Sequence, residues 1–189
     1  MAKKSTRKKP HSGITWREWL EKWELSELRF SADFLDMRWQ PTEADRNAAW
    51  DMYVEMLTRI TTQKLGFDDG VEKAALDSVY SLFGLTRETI KTHGRESNEF
   101  AKISIVVLNQ LIRPFTAKWH RLSTSGAFAE DSRRVEFRRE LEELQTKLRR
   151  YTSMLAHMAG VEDLSGMEEA EQKAWRTLPA PSWAGDLKR

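Results

Sequence analysis

The chain has 189 residues, with 40% hydrophobic and 32% charged side chains and a formal net charge of +2 at pH 7. This length favours a single globular domain, which would bury roughly 70% of its unfolded surface. The absence of cysteine excludes disulfides, thiolate zinc sites and a cysteine nucleophile. The sequence contains neither a secretory signal nor the run of about 20 apolar residues that spans a membrane, so we expect a cytoplasmic protein with no membrane partner.

The first ten residues form a basic segment that contains Lys3, Lys4, Arg7, Lys8 and Lys9. Subtracting these five charges from +2 leaves −3 for the rest of the chain. We predict a flexible basic tail over residues 1–13, which is either solvated or in contact with phosphate. Because the remainder is not basic, composition does not favour a general nucleic-acid-binding surface.

A tryptophan-rich helix follows the basic segment. Thr15 and Glu18 have the spacing of a capping box, which predicts that the helix begins at Trp16. Trp19 and Trp23 lie on or near the same stripe as Trp16 and make a large apolar face that must be covered. Either the chain's own core covers this face, or the face docks a protein partner, because aromatic side chains anchor interfaces.

Two further helices are expected before residue 97. Thr42 is the predicted N-cap of the second helix, with Asp45 in its favourable first turn. The third helix is predicted to end at Gly84, because glycine is common just after helix C-termini. A separate short turn of helix is expected over residues 86–93, and Ser97 is the predicted N-cap of the next helix.

Residues 100–112 are apolar on nearly every side of a helix, which predicts a central, surrounded helix. The β-branched run within it does not predict a strand, because no second strand-like segment exists to pair with it. Pro114 is expected to kink this helix or to end it near Leu111, since proline lacks a backbone donor and clashes with the preceding turn.

The clearest periodicity lies in the last long helix, predicted over about residues 131–158. Apolar residues recur there at alternating spacings of four and three, as in a heptad seam: Phe137, Leu141, Leu144, Leu148, Tyr151, Leu155 and Met158. Such a seam packs either on a neighbouring helix of the same bundle or on a second copy of the chain. Leucine at every a position with Phe, Leu, Tyr and Met at the d positions is not the usual pattern of a two-stranded parallel coiled coil, so the seam favours the bundle. The interface candidates in the dimer alternative are Leu141, Leu148, Tyr151 and Leu155.

Together these elements predict an all-α protein with about five main helices. The helical bundle domain is expected over residues 14–164. It follows the basic tail at 1–13 and precedes a loosely held tail at 165–189, which is first acidic and then contains proline and tryptophan.

Several motifs of known catalytic and binding sites are absent from the sequence. It contains no glycine-rich phosphate loop, no dinucleotide fingerprint, no nucleophile elbow and no H-E-x-x-H zinc motif. None of the four histidines is preceded at three positions by glutamate, which excludes the usual di-iron site of helical bundles. We therefore expect no cofactor and no metal.

Two arginine–histidine pairs are candidates for a catalytic site. Arg113 and His120 lie in the segment R-P-F-T-A-K-W-H, and Arg87 and His93 lie in R-E-T-I-K-T-H. This spacing resembles the signature of HEPN ribonucleases. The resemblance implies an all-α, often dimeric enzyme in which the histidine handles protons and the arginine steadies the scissile phosphate.

Arg113 and His120 are the better candidates of the two pairs. They are seven positions apart, which is about two turns of a helix, so both would point the same way. The structural alternative is that Arg113 caps or pairs near a helix end, and that His120 is half-buried beside Trp119.

These features predict a non-catalytic interaction or regulatory subunit, of the kind found in bacterial multi-component systems. Its expected partner is another protein or a second copy of the chain. The alternative is a metal-independent HEPN-like ribonuclease, which would act on RNA through Arg113 and His120.

Overall fold

The computed structural model describes residues 13–23, 28–59 and 71–167. Within these ranges the chain is all-α and contains no strand, which confirms the predicted fold class. The predicted tails fall almost entirely outside the described residues, at 1–12 and 168–189. No described helix has the length and apolar character needed to cross a membrane.

The described part of the chain contains seven α-helices, labelled in chain order. Their bounds are α1 Trp16–Leu20, α2 Ala32–Leu35, α3 Glu43–Leu57, α4 Glu72–His93, α5 Asn98–Val107, α6 Arg113–Thr124 and α7 Asp131–Ala159. The five longer helices, α3 to α7, form the bundle, and α3 packs along α7. The first helix is shorter than its apolar pattern predicts, since α1 gives way to a 3₁₀ turn over Glu21–Trp23.

Helix capping follows the predictions at α1 and α3 and differs at α5. Thr15 and Thr42 are both N-caps within complete capping boxes. Ser97 occupies the N-cap position of α5, but its side chain does not cap that helix and instead donates to the carbonyl of Gly94. The buried carboxylate of Asp45 caps α5 by accepting a hydrogen bond from the Phe100 backbone amide at 2.9 Å.

The prediction that the third helix ends at Gly84 is wrong. Helix α4 continues through Gly84 to His93 and ends at Gly94, whose φ of 70° suits glycine. An interior glycine costs a helix only about 1 kcal/mol relative to alanine. Buried residues on both sides of Gly84, such as Leu82 and Thr86, hold this stretch against the core.

The interruption expected near Pro114 takes the form of a π-helical turn over Leu108–Ile112. Regular α-helix resumes at Arg113, and Pro114 falls in the first turn of α6, where a missing backbone donor is tolerated. The chain is therefore not broken there, and α6 runs unbroken past His120.

The seam of α7 packs inside the bundle. All seven seam residues are buried, and α3 covers much of α7. The side chain of Arg46, near the start of α3, lies beside Gly160 at the C-terminal end of α7. Helix α3 therefore runs antiparallel to α7, as the bundle interpretation of the seam predicts.

Candidate functional site

Two of the three predicted tryptophans are part of the chain's own core. Trp16 and Trp19 are fully buried and pack edge to face with their ring centroids 5.3 Å apart. The Trp16 indole nitrogen donates to Glu99 at 2.7 Å, and the Trp19 indole nitrogen donates to Nδ1 of His157 at 3.2 Å. These rings are therefore inaccessible to a partner while the chain is folded.

Trp23 is only half-buried and belongs to a cluster around His157. The ring of His157 lies 5.4 to 6.2 Å, centroid to centroid, from the rings of Trp19, Trp23 and Trp39. Burial, and to a lesser extent the nearby charge of Lys22, lowers the pKa of His157. Within the described ranges, the buried indole nitrogens of Trp23 and Trp39 have no hydrogen-bond partner.

The candidate interface residues of α7 are also internal: Leu141, Leu148, Tyr151 and Leu155 are all buried. The hydroxyl of Tyr151 is hydrogen-bonded to the Ser104 hydroxyl at 2.8 Å, and burial raises the pKa of Tyr151. In this fold the seam offers no free face to a second copy of the chain.

Arg113 and His120 lie on one side of α6, next to α4. The Arg113 Nε donates to Asn109 at 3.0 Å, and its guanidinium lies over the Phe83 ring, 5.2 Å from the centroid. His120 packs edge-on against Tyr80 at a centroid distance of 4.9 Å, with its Nε2 atom buried and without a partner among the described residues. His120 is therefore half-buried, as the structural alternative predicts, but its ring packs on Tyr80 of α4.

The side chains of the second arginine–histidine pair, Arg87 and His93, do not lie together. His93 is hydrogen-bonded through Nε2 to Asp51 of α3 at 2.7 Å, whereas Arg87 is exposed and six positions away on α4. Since six positions is well short of two full turns, the two side chains diverge. This geometry does not assemble a site from Arg87 and His93.

A groove between α3 and α4 combines exposed apolar side chains with a cluster of acidic ones. It has a volume of about 430 Å³, and its apolar lining includes Trp50, Val54 and Leu85. Trp50 is 46% exposed and Val54 is 39% exposed. The charged residues of the lining are all acidic: Asp51, Glu55 and Glu88.

Sequence reasoning missed this groove. The helical pattern of α3 includes Trp50 in a broad apolar stripe, which suggests a core position. No local signal distinguishes Trp50 from its buried neighbours Ala49 and Tyr53. Only the placement of α4 determines which edge of the stripe stays open.

A second groove, between α6 and α7, is occupied by paired charges. The Lys118 ammonium bonds to Glu136 at 2.8 Å and to Glu140 at 2.6 Å, and it lies over the Trp119 ring. The described residues include no group of three or more histidine or acidic side chains that could hold a metal ion.

The chain matches no protein-family model, no curated protein and no solved structure. Its function therefore has to be inferred from the side chains described above.

Proposed function

We propose that the protein is a non-catalytic helical interaction subunit that binds a protein partner in the groove between α3 and α4. The observation that carries this proposal is the exposure of Trp50 and Val54 side by side, one turn apart on α3. A large exposed aromatic with an aliphatic neighbour is typical of interface anchors, because covering such side chains removes apolar surface from water.

The charges around the groove indicate the chemistry of the partner. Two of the three acidic side chains are already paired, Asp51 with His93 and Glu55 with Arg59. Glu88 is exposed and forms no ion pair within the described ranges. A basic residue next to an apolar one would therefore complement the groove, as on an amphipathic helix that carries lysine or arginine beside its apolar face.

A designed helical peptide of leucine and lysine tests this interaction. We expect the fluorescently labelled peptide to bind the full chain, with a matched leucine–glutamate peptide as the negative control. Trp50→Ala should weaken binding about tenfold or more, or about 1.4 kcal/mol, because it removes the anchor. Tyr80→Ala, on the other side of α4, should bind the peptide normally.

Two results would reject this proposal: equal binding of the acidic peptide, or unchanged affinity in Trp50→Ala. If the partner is instead a second copy of the chain, sedimentation should show a mass that rises with concentration and that Trp50→Ala reduces.

A metal-independent ribonuclease is the second candidate, favoured by the position of Arg113 and His120 on one side of α6. The Arg113 side chain reaches solvent and is able to contact a phosphate. The Nε2 atom of His120 is buried and the ring packs against Tyr80, so proton transfer through that atom would require the surrounding side chains to move. This requirement ranks the enzyme second.

Cleavage of a fluorogenic RNA in the presence of a chelator tests the second candidate. An enzyme of this kind should lose roughly 10²–10⁴-fold in rate with His120→Ala. Arg113→Lys should also be impaired, because lysine cannot make the bidentate phosphate contact. Cleavage that is the same in all three proteins would come from a contaminant and would eliminate this candidate.

A further inference from the structure

The side of α4 that faces α6 presents aromatic and basic side chains in one continuous row. The Arg113 guanidinium covers Phe83, the Phe83 ring lies 5.7 Å from that of Tyr80, and Tyr80 contacts His120 at 4.9 Å. Tyr80 is 54% exposed. We call these four residues, with their exposed neighbours on α4 and α6, the α4–α6 face.

The α4–α6 face carries cations that form no ion pair with the described residues. Arg87 and Lys91 lie one and two turns beyond Phe83 on α4, and Arg121 follows His120 on α6. These three residues and Arg113 are exposed, and none of the four forms an ion pair with a described residue. Two acids lie nearby on α4: Asp77 is paired with Lys73, and Glu88, next to Arg87, lines the groove toward α3.

Four of the six arginines of α7 show the opposite behaviour. Each of the following forms an ion pair with a carboxylate: Arg133, Arg134, Arg138 and Arg139. Those cations are therefore largely compensated within the fold. Because the cations of the α4–α6 face are not, a polyanion would be attracted to this face even though the chain beyond its tenth residue has a net charge of −3.

The surface between the two helices is also open enough for a flat ring. Gly84 lies one turn after Tyr80 on α4, and no atom beyond its chain neighbours and the backbone of its own helix lies within 4 Å of the position that a Cβ at Gly84 would occupy. Ala117 is exposed between Arg113 and His120 on α6. Neither Gly84 nor Ala117 thus adds a large side chain to the exposed surface of α4 and α6.

We propose that the α4–α6 face binds single-stranded nucleic acid, with a base stacked on Tyr80 and backbone phosphates bound by Arg113 and Arg87. Aromatic platforms beside unpaired cations are the two elements by which proteins bind single strands without reading sequence. A duplex keeps its bases stacked on one another, so it would gain the phosphate contacts and lose the contact with Tyr80. This interaction is separate from peptide binding at Trp50 and requires no cleavage.

The test uses the full chain with Lys3, Lys4, Arg7, Lys8 and Lys9 replaced by glutamine, so that the basic tail does not contribute. Fluorescence anisotropy measures binding of a labelled twelve-nucleotide oligouridine, the matching oligothymidine and a duplex of equal length. We expect the single strands to bind more tightly than the duplex. Comparison of the uridine and thymidine strands shows whether RNA or DNA is preferred.

Variants of the same protein identify the contacts. Tyr80→Ala should weaken binding roughly 5–150-fold, the usual effect of losing one stacked base, whereas Tyr80→Phe should retain binding. Arg113→Gln should lower the slope of log affinity against log salt by about 0.7, as expected for one lost phosphate contact on a single strand. Trp50→Ala should bind normally, because Trp50 lies on the other side of α4.

Three results would overturn the proposal: unchanged affinity in Tyr80→Ala, equal affinity for the duplex, or complete competition by an equally charged polyglutamate peptide. The last result would identify the face as a docking site for acidic protein segments. Circular dichroism of each variant verifies that the fold is retained, and the Tyr80→Phe result separates loss of stacking from loss of structure.

Discussion

Replacing Asp45 with alanine should cost more stability than any exposed substitution in the bundle. The carboxylate is fully buried, and it accepts backbone hydrogen bonds from Thr42 at 2.8 Å and from Phe100 at 2.9 Å. It therefore caps the first turns of both α3 and α5. Losing a cap costs about 1 kcal/mol, and a buried donor left without an acceptor costs about 1–3 kcal/mol. The cap of α3 and the buried amide of Phe100, which is the cap of α5, together give an expected loss of about 2–4 kcal/mol.

Urea denaturation followed by circular dichroism at 222 nm measures this loss. Asp45→Asn retains one side-chain oxygen as acceptor but presents an amide donor to the second backbone amide, so its loss should be intermediate. Glu43→Ala is the matched control. Glu43 lies in the same first turn of α3 and is exposed, so its substitution should change stability by no more than about 0.5 kcal/mol.

The result that would refute this reasoning is a loss below about 1 kcal/mol for Asp45→Ala, which is less than a typical single cap. Equal losses for Asp45→Ala and Asp45→Asn would mean that the charge of the carboxylate, rather than the number of acceptors, stabilises the two helix ends.

Three further predictions concern the core, the glycines and pH. Leu148→Ala should lose about 2–5 kcal/mol in urea denaturation, and Leu148→Asp should unfold the chain rather than yield the folded monomer that a dimer seam would give. Thermal melts should show that Gly84→Ala stabilises α4 by about 0.5–1 kcal/mol, because its surroundings are open, whereas Gly94→Ala destabilises it by about 1 kcal/mol, because its φ is 70°. The pKa of His157 is lowered from 6.5 in the folded chain, so the unfolded chain takes up this proton first as pH falls. Stability should therefore decrease as pH falls below about 6.5, where the unfolded chain takes up the proton, and His157→Gln should reduce that decrease.

The features of the fold that were predicted correctly from the sequence depend on residues close together in the chain. The capping boxes at Thr15 and Thr42 depend on residues three positions apart, and the seam of α7 depends on a repeat of seven. Both kinds of signal lie within one helix. The mistaken end at Gly84 shows the limit of such rules, because the core contacts that sustain α4 come from distant parts of the chain.

The candidate sites were harder to predict, because each depends on which helices become neighbours. The same-side placement of Arg113 and His120 followed from their spacing, but their contacts with Phe83 and Tyr80 require the register of α4 against α6. The double role of Asp45 is of the same kind. Thr42 is three residues away, whereas Phe100 is separated by 55 positions.

Helix α4 separates two surfaces of opposite character, and two adjacent residues show how. Glu88 lines the groove toward α3, whereas Arg87 lies on the α4–α6 face, one turn beyond Phe83. Neighbouring positions on a helix are rotated by about 100° from each other. The charges of Arg87 and Glu88 therefore cancel in the net charge of the chain, although they lie on different surfaces of α4. Net charge therefore describes neither surface, and the −3 of the chain beyond its basic start is compatible with binding a basic peptide on one side of α4 and a nucleic acid strand on the other.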